Sequence, residues 1–232
     1  MICVLTYNAP HRKTQDVLFG LVAKGYRDIC VLATPFVERK TLYPIFKHRP
    51  HQCIPLSVTE LCKNLSIELI LTTLPETEII LSERKFNHIL IAGAGLLPEG
   101  ISKRFKIINS HPGYLPFVKG LDSLKWAIYQ SLPVGVTSHF ISAEADEGLL
   151  IEQAFVPLYF EDSFHSFAYR QYEMEVQLLI NSIEMIKTKK EFPDLSDKSI
   201  AVRSRMSNHY ELIMMERFNN LRLQAPSYRI IA

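Results

Sequence analysis

Three polar side chains in the middle of the sequence have the types needed for one reaction centre. Asn109 and His111 flank a serine after a short apolar run, and Asp146 lies in a later Asp-Glu-Gly segment. An amide can donate a hydrogen bond to a carbonyl oxygen, an imidazolium can donate one with charge assistance, and a carboxylate favours the charged imidazole. No serine or cysteine nucleophile is evidently paired with them. These residues therefore favour addition to a carbonyl with a stabilised oxyanion over a covalent acyl-enzyme.

Each of these residues also has an ordinary structural explanation. A lone buried histidine is more often a satisfied core group than a catalyst, Asn109 can form a turn, and Asp146 can cap a helix. Their common placement at strand ends or in following loops, where chemistry is usually located, makes a shared site the better interpretation. His139, in the segment Gly135-Val-Thr-Ser-His139, is predicted to be structural and to face the site from its strand.

A second polar segment, residues 7–14, follows the first apolar run and precedes a helix pattern. Its cations and the helix N-terminus can hold an anion, and a solvated polar loop is an equally good interpretation. The segment has no glycine-rich phosphate cradle. Gly93-Ala-Gly95 also follows a strand, but the third glycine and the acidic residue of a nicotinamide site are missing. A tight turn that lets another molecule approach the backbone is the better prediction there.

The elements that position these residues alternate between short apolar runs and amphipathic stretches, which predicts an α/β fold. The predicted strands are residues 2–7, 28–34, 67–73, 87–93, 106–109, 135–141 and 149–158. The predicted helices are residues 14–24, 57–65, 122–130, 164–187 and 207–218. Ser57 and Glu60 form a capping-box signature, Gly25 is a helix C-cap candidate, and Asp162 or Ser163 caps the long helix. Continuous apolar strands separated by helices predict a mostly parallel sheet with helices on both faces.

The C-terminal end of the sequence loses this periodicity. We expect a catalytic domain over residues 1–193 and a C-terminal extension over residues 194–232, with an extended tail from residue 222. The extension is a candidate dimerisation or substrate-binding element.

The composition excludes several classes of protein. The 232 residues include 26 Lys and Arg against 24 Asp and Glu, a net charge of +2, so no nucleic-acid partner is indicated. No apolar run approaches the ~20 residues that cross a bilayer, and the N-terminus lacks the features of a signal peptide. The four cysteines have no zinc-ligand spacing. We therefore expect a cytoplasmic protein without a metal, a membrane partner or disulfides.

Taken together, Asn109-Ser-His111-Pro-Gly-Tyr-Leu-Pro116, Gly135-Val-Thr-Ser-His139 and Asp146-Glu-Gly148 resemble the formyltransferase family that uses 10-formyltetrahydrofolate. The similarity runs from about residue 87 to 158 and more loosely from residue 1. It implies a Rossmann-like domain, Asn109, His111 and Asp146 as the catalytic residues, and a folate co-substrate that leaves as tetrahydrofolate. It also implies a folate pocket formed by Leu90, Gly93, Leu96, Leu97, Ser142, Ala145 and Asp146.

The resemblance leaves the acceptor amine open, and the departures from the family narrow it. The glycine-free loop at residues 7–14 puts glycinamide ribonucleotide in doubt, and the tRNA and deformylase members carry further domains for which we expect no room. The segment Gly120-Leu-Asp-Ser-Leu-Lys-Trp126-Ala-Ile is similar to the sugar-nucleotide branch. We therefore expect an N-formyltransferase of a nucleotide-linked amino dideoxysugar, such as dTDP-4-amino-4,6-dideoxyhexose, for surface polysaccharide or O-antigen synthesis. The alternatives are a divergent phosphoribosylglycinamide formyltransferase and a non-catalytic folate- or nucleotide-binding protein.

A sugar nucleotide needs aromatic groups for its base and cations for its diphosphate. The candidate acceptor-binding residues are Tyr7, Asn8, His11, Arg12, Lys13 and Tyr114. Tyr210 and Tyr228 are further candidates from the extension, whereas Trp126 is predicted to be a packed helix residue. By family and base rate we expect a homodimer.

Overall fold

Nine strands and seven helices occur in residues 1–37, 43–50 and 54–227, the part of the chain that the computed structural model describes. The strands are β1 (Ile2–Tyr7), β2 (Ile29–Thr34), β3 (Glu68–Leu71), β4 (His88–Ile91), β5 (Ile107–His111), β6 (Lys119–Gly120), β7 (Gly135–Ile141), β8 (Gly148–Phe155) and β9 (Val202–Arg203). The helices are α1 (Arg12–Ala23), α2 (Val58–Leu65), α3 (Leu74–Glu83), α4 (Glu99–Arg104), α5 (Ser123–Gln130), α6 (Phe164–Thr188) and α7 (Asn208–Leu223). Tyr228, a candidate from the extension, and Cys53, one of the four cysteines, lie outside the described residues.

Seven of these strands form one sheet in the order β3-β2-β1-β4-β5-β7-β8. The first five are mutually parallel, and β7 runs antiparallel to both of its neighbours. The predicted mostly parallel α/β sheet is thus confirmed. The chain leaves β1 towards β2 on one side and returns to β4 on the other, so the carboxyl ends of β1 and β4 flank the switch point where open α/β sheets bind ligands.

Alternation along β1 shows why both faces of the sheet are covered. Ile2 and Val4 contact the apolar faces of α1, α2 and α6, whereas Cys3 and Leu5 belong to the cluster that includes residues of α3 and α4 on the opposite face. A strand buried on both faces must be apolar throughout, which explains the continuous apolar run.

Local signals account for most helix boundaries. The predicted capping box of Ser57 and Glu60 begins α2, and Ser163 rather than Asp162 caps α6. A second capping box, Thr73 with Glu76, begins α3, which the sequence analysis assigned no helix. The short helix α4 was also not predicted.

The C-terminal extension packs on the rest of the domain. Met206, Met214 and Phe218 are buried in an apolar cluster with α5 and the N-terminal part of α6. The strand β9 pairs in parallel with β6. The prediction of an extended tail from residue 222 is wrong at its start, because α7 continues to Leu223.

Within the described ranges, no helix is long and apolar enough to span a membrane, and no group of three or more histidine, cysteine or acidic side chains is arranged to hold a metal ion.

Candidate active site

A cleft of about 810 Å³ opens at the switch point of the sheet. Its walls come from the loops that follow β1, β4 and β5, from residues 141–146, and from residues 48–50 and 202–205. This volume is within the range of small-molecule sites. The three residues that suggested a reaction centre, Asn109, His111 and Asp146, line its middle.

His111 and Asp146 form a buried ion pair at the base of the cleft. His111 Nδ1 lies 3.1 Å from Asp146 Oδ1, and Nε2 donates to the Val118 carbonyl oxygen at 3.0 Å. Burial alone would lower the pKa of His111, but the Asp146 charge and both hydrogen bonds outweigh it and raise this pKa above 6.5. The same pairing, with the Gly120 amide, overcomes the burial effect on Asp146 and lowers its pKa to about 2. The pair is therefore an imidazolium beside a carboxylate.

His139 sets the orientation of Asn109. The two residues are cross-strand partners on β5 and β7, and Asn109 Nδ2 lies 3.5 Å from His139 Nε2. Burial, followed by the His111 charge, lowers the pKa of His139 to about 4, so its ring is neutral. Its Nδ1 donates to the Glu147 carbonyl oxygen at 3.1 Å, which leaves Nε2 as an acceptor that faces the amide nitrogen of Asn109. Asn109 thus keeps a second amide hydrogen for the cleft.

Two successive pairs hold Asp146 in place. The Gly120 amide donates to Asp146 Oδ2 at 2.7 Å, and the buried ammonium of Lys119 binds Glu147 Oε1 at 2.6 Å. Lys119 also donates to the Asp197 carbonyl oxygen at 2.7 Å, which ties the C-terminal extension to this clamp. Unpaired buried charges are costly, so these bonds fix the loop between β7 and β8.

One end of the cleft is largely apolar and formed mostly by small and aliphatic residues. It consists of residues 91–97 and 141–145, among which Glu144 is the single charged residue. Leu96 is 80% exposed beside this end, and Gly93 lets the loop after β4 lie against His11, because a Cβ there would meet its ring at 2.8 Å. Such apolar lining fits a flat heterocyclic ring.

The opposite end is polar and is organised around Glu175 of α6. This buried carboxylate binds Lys13 Nζ at 2.7 Å and also pairs with Arg49. Burial would raise the pKa of Glu175, but the two cations lower it to about 2. His11 Nδ1 lies 2.9 Å from Thr14 Oγ1, and burial followed by the charge of Lys13 lowers the pKa of His11 to about 4.

Most residues selected from the sequence meet in this cleft. Those that line it are Tyr7, His11, Arg12, Lys13, Gly93, Leu96, Leu97, Asn109, His111, Ser142, Ala145 and Asp146. Four others do not line it. Leu90 points into the core beneath α1 and α6, Asn8 is exposed beside β2, Tyr114 stacks on Phe155 with ring centroids 4.5 Å apart, and Tyr210 packs on Trp126 and Tyr129.

Several lining residues were missed by sequence reasoning. They are His48, Arg49, Asp122, Tyr172, Glu175, Arg203 and Arg205. An acidic residue on the buried face of α6 was a detectable signal for Glu175, since buried charges require partners. The arginines carried no local signal.

This fold and cleft define an α/β domain with a partly polar cleft at the switch point of its sheet. Residues 75–183 match the family model described as formyl transferase. The resemblance to formyltransferases seen in the sequence is therefore confirmed over this part of the chain.

The chain is similar to several members of that family. A phosphoribosylglycinamide formyltransferase from Haemophilus influenzae is 37% identical over 94 residues, which are 39% of this chain and 44% of that protein, less than half of its length. The structure of a phosphoribosylglycinamide formyltransferase from Anaplasma phagocytophilum superposes with a TM-score of 0.61 at 22% identity, over 81% of this chain and 86% of that one. A 4-N formyltransferase from Francisella tularensis superposes with a TM-score of 0.61 at 18% identity, over 94% of this chain and 86% of that one. The likeness of these structures is a likeness of fold.

Proposed function

We propose that this protein transfers a formyl group from 10-formyltetrahydrofolate to the amine of a small acceptor. The observation that carries the proposal is the assembly of Asn109, His111 and Asp146 between an apolar and a polar end of one cleft, within the part of the chain that matches the formyl transferase family. The apolar end suits the pterin of the donor, and the polar end suits the acceptor. A protein that only bound these ligands would have no use for such a trio.

The proposed mechanism assigns a different task to each residue. Asn109 donates its second amide hydrogen to the formyl oxygen as negative charge develops there. His111 contributes its positive charge close by, because both of its nitrogens already bind Asp146 and Val118. Asp146 keeps His111 charged and accepts the proton that the attacking amine loses, directly or through water. The bond between the formyl carbon and N10 of the donor then breaks, and this proton passes to N10 of the departing tetrahydrofolate. His139 acts as a positioning residue through Asn109.

We further propose that the acceptor is a nucleotide-linked amino sugar. The loop after β1 has no glycine, and Pro10 removes a backbone donor, which disfavours the ribonucleotide of the purine enzymes. The C-terminal extension adds residues to the polar end of the cleft, and the 4-N formyltransferase fold aligns over 94% of this chain. A cytoplasmic homodimer and a role in surface polysaccharide synthesis belong to the same proposal.

The test is an assay of purified protein with 10-formyltetrahydrofolate and a panel of nucleotide-linked amino sugars, with glycinamide ribonucleotide offered separately. Mass spectrometry should find the formyl group on one amino sugar. Asn109→Ala should lower the rate by ~10²–10³-fold, the usual cost of losing one oxyanion donor. The matched control is Asn64→Ala, which changes an exposed asparagine of α2.

Three results would change the conclusion. Formylation of glycinamide ribonucleotide alone would replace the sugar nucleotide by the purine intermediate. Donor binding with no formylated product from any acceptor would favour the binding protein. Wild-type turnover in Asn109→Ala would remove that residue from the catalytic role.

A further inference from the structure

The charges of the cleft are distributed unevenly. Apart from Arg12, which pairs with Asp16, its polar end carries four permanent cations, namely Lys13, Arg49, Arg203 and Arg205. Two carboxylates, Asp122 and Glu175, face them, so two positive charges remain in excess. An excess of this kind at one end of a cleft attracts an anionic part of a ligand.

Arg203 and Arg205 stand on a wall that is firmly built. The backbone of Arg203 lies so close to Gly120 that a Cβ there would meet its carbonyl oxygen at 2.1 Å, and Arg203 accepts from the Leu121 amide at 2.8 Å. Trp126 Nε1 donates to the Ser204 carbonyl oxygen at 2.8 Å. The guanidinium of Arg203 lies 5.2 Å from the centre of the Trp126 ring. The extension therefore delivers its arginines next to Gly120, which itself holds Asp146.

Arg49 stands on a second wall, which α7 holds in place. Glu211 is fully buried, pairs with the buried Lys125, and accepts from the amides of Ile45 and Phe46 at 2.6 and 3.3 Å. These bonds anchor residues 43–50, the segment that carries His48 and Arg49. Helix α7 thus supports the wall that carries Arg49.

We propose that Arg49, Arg203 and Arg205 bind a dianionic phosphate or diphosphate group of the acceptor. Guanidinium groups offer paired donors that match phosphate oxygens, and such charge-assisted bonds are stronger than neutral ones. This inference deepens the proposed function and rests on it for the identity of the ligand as the acceptor. It extends the candidate anion site from the loop after β1 to the arginines of the two walls. Lys13 and Arg49 share Glu175, and Arg205 pairs with Asp122, so the site rests on the excess of cations over carboxylates.

The test measures binding without turnover. Calorimetric titration of the wild-type protein at low ionic strength uses thymidine 5′-diphosphate in one arm and ribose 5-phosphate in the other. Arg203→Gln and Arg205→Gln should each raise the dissociation constant of the ligand that binds by roughly ten- to a hundredfold, the usual effect of losing a hydrogen bond to a charged group. Added salt should weaken wild-type binding more than variant binding.

Matched measurements separate a lost anion site from a damaged fold. Arg104→Gln alters an exposed arginine of α4 that pairs with Glu78, and it should leave the dissociation constant unchanged. Binding of 5-formyltetrahydrofolate and thermal unfolding should be the same in all three variants as in the wild type.

Each outcome decides the matter. Tighter binding of the diphosphate assigns a nucleoside diphosphate to the site, and tighter binding of ribose 5-phosphate assigns a phosphate monoester. Failure of both ligands to bind the wild type, or equal binding by wild type and both variants, overturns the inference. Binding as expected together with no formylation of any acceptor would refute the proposed function and leave the anion site standing.

Discussion

At the scale of single residues, the central feature is a pair of histidines of which one is charged and the other is neutral. His111 is held charged by Asp146, whereas His139 is held neutral by burial and by its charged neighbour. One ring supplies positive charge, and the other accepts a hydrogen bond that orients Asn109. The sequence identified Asn109, His111 and Asp146 because their motifs are local. It could not assign the tautomer of His139, because that depends on the Glu147 carbonyl across a β-bulge.

Replacing Asp146 by asparagine should change the pH dependence of the reaction. In the wild type, the raised pKa of His111 keeps the imidazolium up to a pH above 6.5, and activity that needs its charge falls only beyond that point. Without the carboxylate, burial dominates and the pKa of His111 falls. The basic limb of the kcat/KM profile should therefore move to lower pH. The maximal value of kcat/KM should also fall. Glu83→Gln, which alters an exposed glutamate of α3, is the control, and an unmoved limb would contradict the pairing.

At the scale of elements, the strands were easier to predict than the walls of the cleft. The run at residues 2–7 was predicted as β1, since a strand buried on both faces carries its own signal. The start of helix α3 also has a local sequence signal, the capping box of Thr73 and Glu76, although no helix was predicted there. By contrast, the placement of residues 43–50 depends on Glu211, 166 positions from Ile45, and no local pattern reports such a contact.

The contribution of Glu211 should be measurable as a free energy of unfolding. Glu211→Gln leaves Lys125 buried beside a neutral amide, and breaking a buried ion pair usually costs about 3–5 kcal/mol. Urea unfolding should show a loss of that order. The control is Glu216→Gln, which alters an exposed glutamate of the same helix and should stay within about 0.5 kcal/mol of the wild type. Equal stability of the two variants would show that α7 does not anchor this wall through Glu211.

At the scale of the whole molecule, the buried His139 and the half-buried His11 and His48 couple stability to pH. Burial, as the largest cause, lowers the pKa of His11 and His139 to about 4 and that of His48 to about 3. Between about pH 6.5 and 4 the unfolded chain therefore binds protons that the folded chain does not. The free energy of unfolding therefore decreases as the pH falls through this window, by up to ~1.4 kcal/mol per pH unit for each histidine.

Urea titrations at pH 7, 6 and 5 would measure this coupling. The free energy of unfolding should decrease at each step. His48→Gln should reduce the slope, because one of the three proton-binding groups is then missing from the unfolded state. A free energy that stays constant from pH 7 to pH 5 would contradict the burial of these rings as neutral groups.

The wall built by residues 202–206 and by α7 also has a consequence for biosynthesis. A ribosome makes the whole central sheet before it reaches Arg203, Arg205 and Glu211, so the nascent sheet has its reaction centre but neither cationic wall. The buried ion pairs join residues that are far apart in the sequence. Lys125 pairs with Glu211, much later in the sequence, and Glu175 pairs with Lys13, much earlier. Such long-range contacts form late. The ability to bind the acceptor should therefore appear only when the last segment has been made. A premature stop codon after β8 should abolish the proposed activity and not merely reduce it.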